Sequence, residues 1–401
     1  MGILVINCGS SSVKFALYDR TDSDPRVRGA VEEIGSPAIR GHYAVGDSAP
    51  RDITFTQGHD HAASLEAAFR ALRSEPELAG LEISAVGHRI VHGGQFFSHP
   101  VCVGATELEQ IRSLAPLAPV HAEPNALGID AAMRALPDTP QVAVFDTGFH
   151  QTIPPEVYRY AVPENLYQDH QVRRYGFHGT SHQYVAGKAC DTLGLPLHDS
   201  RLISAHLGNG CSVTAILNGE SKDTSMGLTP LEGLPMGTRS GTVDPNLHGY
   251  LATQTGMSLE EITDLLNQKS GLTGVSGHTN DMRVLTQRIT EGCTASQLAV
   301  EIFCFRLARE IGGLTVALKG MPQILIFTGG IGENSILVRE LTLRHLRHFG
   351  FITDDAANAE HGAANRGIIT SSDHAGPVAM VVPTDEERAI AQATQKQISS
   401  R

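Results

Sequence analysis

The sequence predicts an α/β protein built from two related halves, and three observations predict it. The chain has 401 residues, too many for one hydrophobic core. Its opening stretch, Ile3 to Leu17 (ILVINCGSSSVKFAL), is echoed by Arg201 to Leu217 (RLISAHLGNGCSVTAIL). Each reads as an apolar strand, a turn of small residues and a second apolar strand. The third observation is the buried run Ile324 to Phe327, which leads through Gly329-Gly330-Ile331-Gly332-Glu333-Asn334 into a helix running to about Phe349. Strand, glycine turn and helix N-terminus make a natural phosphate site. One glycine turn means little, but three on a duplicated plan predict a nucleotide held between two lobes.

The elements follow in order. In the first hairpin Gly9 can take a positive φ, and the backbone N–H groups and hydroxyls of Ser10, Ser11 and Ser12 stand uncovered near Lys14, a cradle for phosphate oxygens. A plain hairpin turn would use the same residues. Thr21 to Ile53 reads as short strands and turns, and Ala62 to Arg73 as an amphipathic helix. Ile83 to Val91 reads as a strand carrying Arg89, which needs an anionic partner among apolar neighbours, whether a substrate or a structural carboxylate. Leu108 to Leu114 and Ala126 to Leu136 are predicted helices. The buried strand Gln141 to Phe145 ends in Asp146, a candidate because polar residues just past strand ends meet ligands in α/β sheets, although a turn aspartate is the commoner explanation.

From about His150 the composition shifts, marking a second domain. His178 and His182 have the spacing of a helical zinc pair, but Gly179 is expected to interrupt the helix and no H-E-x-x-H glutamate is present. Met226 to Pro245, rich in Gly and Pro, is a long loop carrying Arg239. Ser258 and Glu261 form a capping box for a helix to Gln268, and Ser270 to Arg283 reads as a glycine-rich loop. Thr294 to Leu318 is a long helix of the core or of a subunit contact. Val378 to Val382 is a strand. Thr384 and Glu387 are expected to cap the last helix, leaving Glu386 free to hold Mg2+.

Composition excludes several classes. Hydrophobic residues make up 41% and charged ones 18%, as in an ordinary globular protein. The net charge of −12 repels nucleic acid and anionic membranes, so an anionic substrate requires a locally basic pocket. Six cysteines with no C-x-x-C pair suit reduced thiols. The first apolar run is too short for a signal peptide, and no apolar run approaches the ~18 residues of a membrane span. A cytoplasmic protein is expected.

Eight segments together resemble the acetate kinase family: NCGSSSVKF at 7–15, HRIVHGG at 88–94, DTGFHQTIP at 146–154, RYGFHGTSH at 174–182, HLGNG at 206–210, MGLTPLEGLPMGTRSGTVDP at 226–245, FTGGIGENS at 327–335 and PTDEE at 383–387. The resemblance implies a duplicated actin-like, ribonuclease H-like fold, two βββαβαβα lobes around a nucleotide cleft. Residues 1–149 with 383–401 would form the lobe for metal and acyl substrate, and 150–382 the nucleotide lobe with the dimer contacts. It further implies Mg2+ (alternatively Mn2+) at Asn7 and Glu386, ATP contacts at Ser10, Ser12 and Lys14, and nucleotide contacts at His206, Leu207, Gly208, Asn209, Gly210, Asp281, Met282, Arg283, Gly330, Ile331, Gly332, Glu333 and Asn334. Arg89 would bind the acyl carboxylate, and Val91, Val120, Phe177 and Pro230 its methyl group. Asp146 would be the catalytic acidic residue, with His178 and Arg239 stabilising the transition state. The partners implied are acetate, acetyl phosphate, ATP, ADP and a second copy of the chain.

Two departures stand out. Val120-His121-Ala122-Glu123-Pro124 replaces the family's usual Leu-His-Asn-Pro, which keeps propionate open as a substrate. Asn7 stands where many actin-like ATPases have aspartate, implying a water-mediated hold on the metal. A carboxylate acceptor is already ionised at neutral pH and needs no general base, unlike the alcohol of a sugar kinase. A sugar kinase and an actin-like or chaperone ATPase are the rival readings on this fold.

Overall fold

The structure, a computed structural model, describes residues 2–55, 58–119, 121–371 and 376–400. It divides into two compact units, Met1–Phe149 with Asp385–Arg401, and His150–Thr384.

In the first unit, β1 (Gly2–Cys8), β2 (Ser12–Tyr18), β3 (Val27–Glu32), β4 (Arg40–Val45), β5 (Arg51–Asp52), β6 (Ile83–Ile90), β7 (Val101–Cys102) and β8 (Gln141–Phe145) form one sheet in the order β5-β4-β3-β2-β1-β6-β8-β7. Side chains alternate across β1, so both of its faces are buried. Leu4 and Ile6 pack with Leu65, Phe69 and Leu72 of the helix His61–Ser74. Ile3 and Val5 pack with Ile390 and Ala391 of the helix Glu386–Ser399. That helix lies so close to β6 that a Cβ on Gly87 would come within 2.9 Å of Ile390 Cγ2.

In the second unit, β9 (Arg201–Leu207), β10 (Cys211–Leu217), β11 (Glu220–Thr224), β12 (Ile324–Thr328) and β13 (Val378–Val381) run in the order β11-β10-β9-β12-β13. The five strands β3-β2-β1-β6-β8 repeat this plan. In each, a hairpin and a third antiparallel strand lie on one side of the first strand, and two parallel strands on the other. The echo between the two hairpin sequences is therefore a repeat of topology. The helix Thr294–Leu314 buries Ala299, Val300, Phe303, Leu307 and Ile311 at helical spacing.

Local structure corrects several sequence expectations. Gly9 is not in the left-handed region, because its N–H closes the turn on the Ser12 carbonyl at 2.8 Å. Gly179 does not interrupt a helix but opens Gly179–Leu193, with His178 as the N-cap at φ +59°. Gly329–Asn334 is itself a short helix, separated by the Ser335 cap from Ile336–His345. The stretch 270–283 holds a helix, Gly271–Ser276, and Leu247–Thr255 is a helix that its weak amphipathicity concealed. Pro124 fits the first turn of Ala122–Ala135, so that helix starts earlier than expected. The last helix is capped by Asp385, which accepts from the Arg388 N–H, and not by Thr384 with Glu387. Thr384 belongs to the second unit, where its N–H donates to Glu333 and its hydroxyl bonds Ser181.

Candidate active site

In the first unit the ends of β6 and β8 lie side by side, and the Asp146 N–H donates to the Ile90 carbonyl at 2.9 Å. This brings Arg89 and Asp146 together. Arg89 Nε donates to Asp146 Oδ1 at 3.1 Å and Nη2 to Oδ2 at 2.7 Å. Glu386, the first residue of its helix, places Oε2 3.5 Å from Arg89 Nε. Burial works against the Arg89 charge, but the two carboxylates outweigh it and raise the guanidinium's hold on its proton.

The hairpin turn is fixed beside this cluster. His61 Nε2 meets the Gly9 carbonyl at 2.7 Å. Asn125 donates to the Cys8 carbonyl at 2.8 Å and accepts from the Val91 N–H at 3.0 Å, tying the end of β1 to the end of β6. Asn7 is half-buried at the end of β1, opposite Lys14, while Ser10 and Lys14 are exposed and Ser12 is half-buried. Val91 is half-buried; Val120 lies outside the described residues. Asn125 escaped the sequence reading. Its signal was a polar residue in register with Ile129 and Ala132 on the apolar face of a helix, the mark of a buried hydrogen bond.

In the second unit His178, Arg239 and Gly210 converge. A Cβ on Gly210 would lie 3.4 Å from Arg239 Nη1 and 3.4 Å from His178 Nε2. The His178 ring stacks on His206 with centroids 4.4 Å apart, and its Nδ1 pairs with the Ser212 hydroxyl at 2.9 Å. The same hydroxyl meets His182 Nε2 at 2.8 Å, and His182 Nδ1 meets Ser204 at 3.0 Å. Burial pushes the His182 pKa well below its ordinary value and that of His150 down to about 4, so both rings are neutral near pH 7. His150 Nε2 meets the carbonyl of buried Phe177 at 3.0 Å.

Arg239 is half-buried. Its Nη1 donates to the Pro230 carbonyl at 3.3 Å, and among the described residues it forms no ion pair with a carboxylate. A desolvated guanidinium of that kind suits an anion that arrives and departs.

The expected nucleotide residues also gather in this unit. His206 and Leu207 end β9, and the Gly208 N–H closes the turn on the Gly210 carbonyl at 3.0 Å. Asn209 accepts from Asn280 at 3.0 Å, next to Asp281, which caps the helix Met282–Thr290. The Arg283 side chain beside Asp281 holds that carboxyl down to about 2. Gly329, at φ +74°, packs so tightly on Leu207 that a Cβ would come within 2.8 Å of its carbonyl oxygen. Only glycine fits there. Glu333 accepts from the Gly329 N–H at 3.0 Å and from the Thr384 N–H at 3.1 Å, and Asn334 donates back to the Gly330 carbonyl. Ile331 is half-buried and Gly332 buried on this short helix, while Met282 is buried at the start of the helix Met282–Thr290. The hydroxyls that order the histidines, Ser181 (2.8 Å from His206 Nδ1) and Ser212, were passed over in the sequence because such residues also serve turns and caps.

Among the described residues no helix is long and apolar enough to cross a membrane. Residues 2–392 match the model of the Acetokinase family. The chain is 52% identical over 389 residues to a protein of Ectopseudomonas mendocina named acetate kinase, covering 97% of each. Among solved structures, acetate kinase of Porphyromonas gingivalis shares 38% identity at a TM-score of 0.92, with 99% of each chain covered. A propionate kinase from Francisella tularensis shares 41% identity at a TM-score of 0.90, with 98% of this chain and 99% of that one covered.

Proposed function

The chain belongs to the acetokinase family, and from that premise we propose that it transfers the γ-phosphoryl group of ATP reversibly to the carboxylate of acetate, giving acetyl phosphate and ADP. Its fold is the duplicated actin-like α/β fold that the resemblance implied. The observation that carries the reading is the meeting of Arg239 and His178 at Gly210, on the turn between the two strands of the second hairpin.

A carboxylate oxygen attacks the γ-phosphorus, the bond to the β–γ bridging oxygen breaks, and its electron pair leaves with ADP. No proton moves. The difficulty is charge, since an anion must approach a polyanion, and this chain answers it with cations and donors. Arg89 receives the acyl carboxylate. The acyl-methyl contacts expected of Val91, Phe177 and Pro230, and of Val120 outside the described residues, belong to the same proposal. Arg239 and His178 stabilise the transferring phosphoryl oxygens, and the turns at 206–210, 281–283 and 330–334 hold the nucleotide; the phosphate contacts expected of Ser10, Ser12 and Lys14 belong to the same proposal. Asp146 gives both carboxylate oxygens to Arg89 and so orients it, which favours an acid over an alcohol as acceptor, because an alcohol would require that carboxylate as a base. Asn7 and Glu386 offer an amide and a carboxylate oxygen, the hard donors that suit Mg2+ or Mn2+ alongside phosphate oxygens. Such an ion, when bound, would supply charge neutralisation on the phosphates.

Propionate is a second reading, favoured by the likeness to a propionate kinase at 41% identity. A cytoplasmic homodimer belongs to the same proposal, with Leu298 and Phe305 exposed on the helix Thr294–Leu314 as candidate contacts. Sedimentation velocity checks the dimer. The activity is tested by ATP-dependent acyl hydroxamate formation with acetate, propionate and butyrate in the presence of hydroxylamine. A signal ranks the acids; none with any of the three sinks the proposal.

A further inference from the structure

The loop that carries Arg239 has no regular secondary structure, yet it is fixed at its root. Tyr175 and Gly176 both donate backbone N–H groups to the Gly227 carbonyl, at 3.1 and 3.3 Å. Arg174 Nη1 reaches three consecutive carbonyls, those of Thr224, Ser225 and Met226, at 2.6, 3.1 and 3.1 Å. Its Nη2 donates to Glu232 Oε1 at 2.7 Å. The other oxygen of Glu232 accepts from the Tyr160 hydroxyl, and that hydroxyl oxygen accepts the Leu228 N–H at 2.9 Å. Gly227 lies against this cluster, where a Cβ would run into the Glu232 carboxylate and the Tyr160 hydroxyl.

The residues that follow pass this placement on. Gly233, at φ +105°, packs on the Ser225 carbonyl, with 2.7 Å to the oxygen from a built Cβ. Gly233 and Thr242 exchange two hydrogen bonds, at 2.9 and 3.0 Å, which close the neck of the loop. Within the neck the Met236 N–H bonds the Arg239 carbonyl at 3.0 Å, and Arg239 Nη1 bonds the Pro230 carbonyl. Burial, then the charge of Glu232, keeps Tyr160 protonated and so a donor. Asp223 and Glu310 also face Arg174, but burial raises both carboxyls, and neither is hydrogen-bonded to it.

We propose that Glu232, seated by Arg174 and Tyr160, is a positioning residue for phosphoryl transfer. It touches no substrate. It holds the loop in the one shape that places Arg239, while Arg174 ties that loop to the stretch carrying His178. The inference rests on the role given to Arg239 above.

The test uses the full chain with Glu232→Gln and Tyr160→Phe, each alone and each combined with Arg239→Ala, by steady-state hydroxamate kinetics and thermal unfolding. Glu232→Gln is expected to lower kcat about tenfold or more while KM for ATP changes by less than about threefold, the pattern of an interaction realised in the transition state. Tyr160→Phe removes a single oxygen and is expected to lower kcat in the same direction at a nearly unchanged unfolding midpoint, which separates positioning from misfolding. In the Arg239→Ala background neither change is expected to cost more than about twofold, because residues acting through one group are not additive. Unchanged kcat in both single variants overturns the proposal, as does an equal loss with and without Arg239. Near-normal turnover in Arg239→Ala alone overturns the role of Arg239 itself, and the proposal with it.

Discussion

Arg89 and Asp146 meet through two parallel hydrogen bonds, at 3.1 and 2.7 Å, and Asp146 is only 1% exposed. Removing the guanidinium takes away the cation that faces both the buried Asp146 carboxylate and Glu386. Arg89→Ala is therefore expected to lose about 3 kcal/mol of unfolding free energy in addition to acyl binding. Arg89→Ala/Asp146→Ala should lose less than the sum of the two single changes. Urea denaturation of the three variants checks this, and additive losses would show that the pair does not act as a unit.

Arg239 supplies charge where charge develops. Arg239→Ala is expected to lower kcat by about 10³-fold, within the range for arginines in phosphoryl transfer, with KM for ATP changed only a few-fold. Initial rates over a matrix of ATP and acetate concentrations distinguish this from a binding defect.

Gly210 gives a finer probe. It has no positive φ, and a methyl group there would sit in ordinary contact, 3.4 Å from both Arg239 Nη1 and His178 Nε2. Gly210→Ala is expected to leave the unfolding free energy within about 1 kcal/mol of the parent while lowering kcat more than about tenfold, since the methyl fills the space that the phosphoryl oxygens require. Full turnover would place the reacting group elsewhere.

Stability should depend on pH through buried histidines. Burial holds His88 and His150 at about 4 and His182 well below the ordinary value of 6.5. Well above pH 6.5 neither folded nor unfolded protein carries these protons. As the pH falls toward 4, the unfolded chain takes up protons that the folded one refuses, at up to ~1.4 kcal/mol per histidine per pH unit. Asp223, Glu310 and Glu387, raised by burial, take up protons in the folded state and offset part of the loss. The urea midpoint is expected to fall between pH 7 and 5; a flat profile would contradict the neutral buried rings.

What the sequence made legible was whatever rests on local pattern. Both hairpins, the Gln141–Phe145 strand and the Ser258–Glu261 capping box follow from periodicity and cap chemistry. Arg89 and Asp146 could each be singled out, but their pairing depends on the parallel register of β6 and β8, which is set by contacts far apart in the chain. The Thr384–Glu387 box failed for the same reason. Thr384 satisfied a local rule, yet tertiary partners, Glu333 and Ser181, claim both its N–H and its hydroxyl. Glu232 had no local signature at all, since its meaning comes from Arg174 and Tyr160 across the unit.

The helix Glu386–Ser399 completes the core around β1 with Ile390 and Ala391, although all of His150–Thr384 is synthesised between them. The unit that leaves the ribosome first is therefore the one that waits. Until that helix is synthesised, Ile3, Val5 and Tyr18 lack the cover that Ile390 and Ala391 give them, whereas the second unit already has every strand of its sheet. The unit whose synthesis begins first is thus the last to have all of its residues.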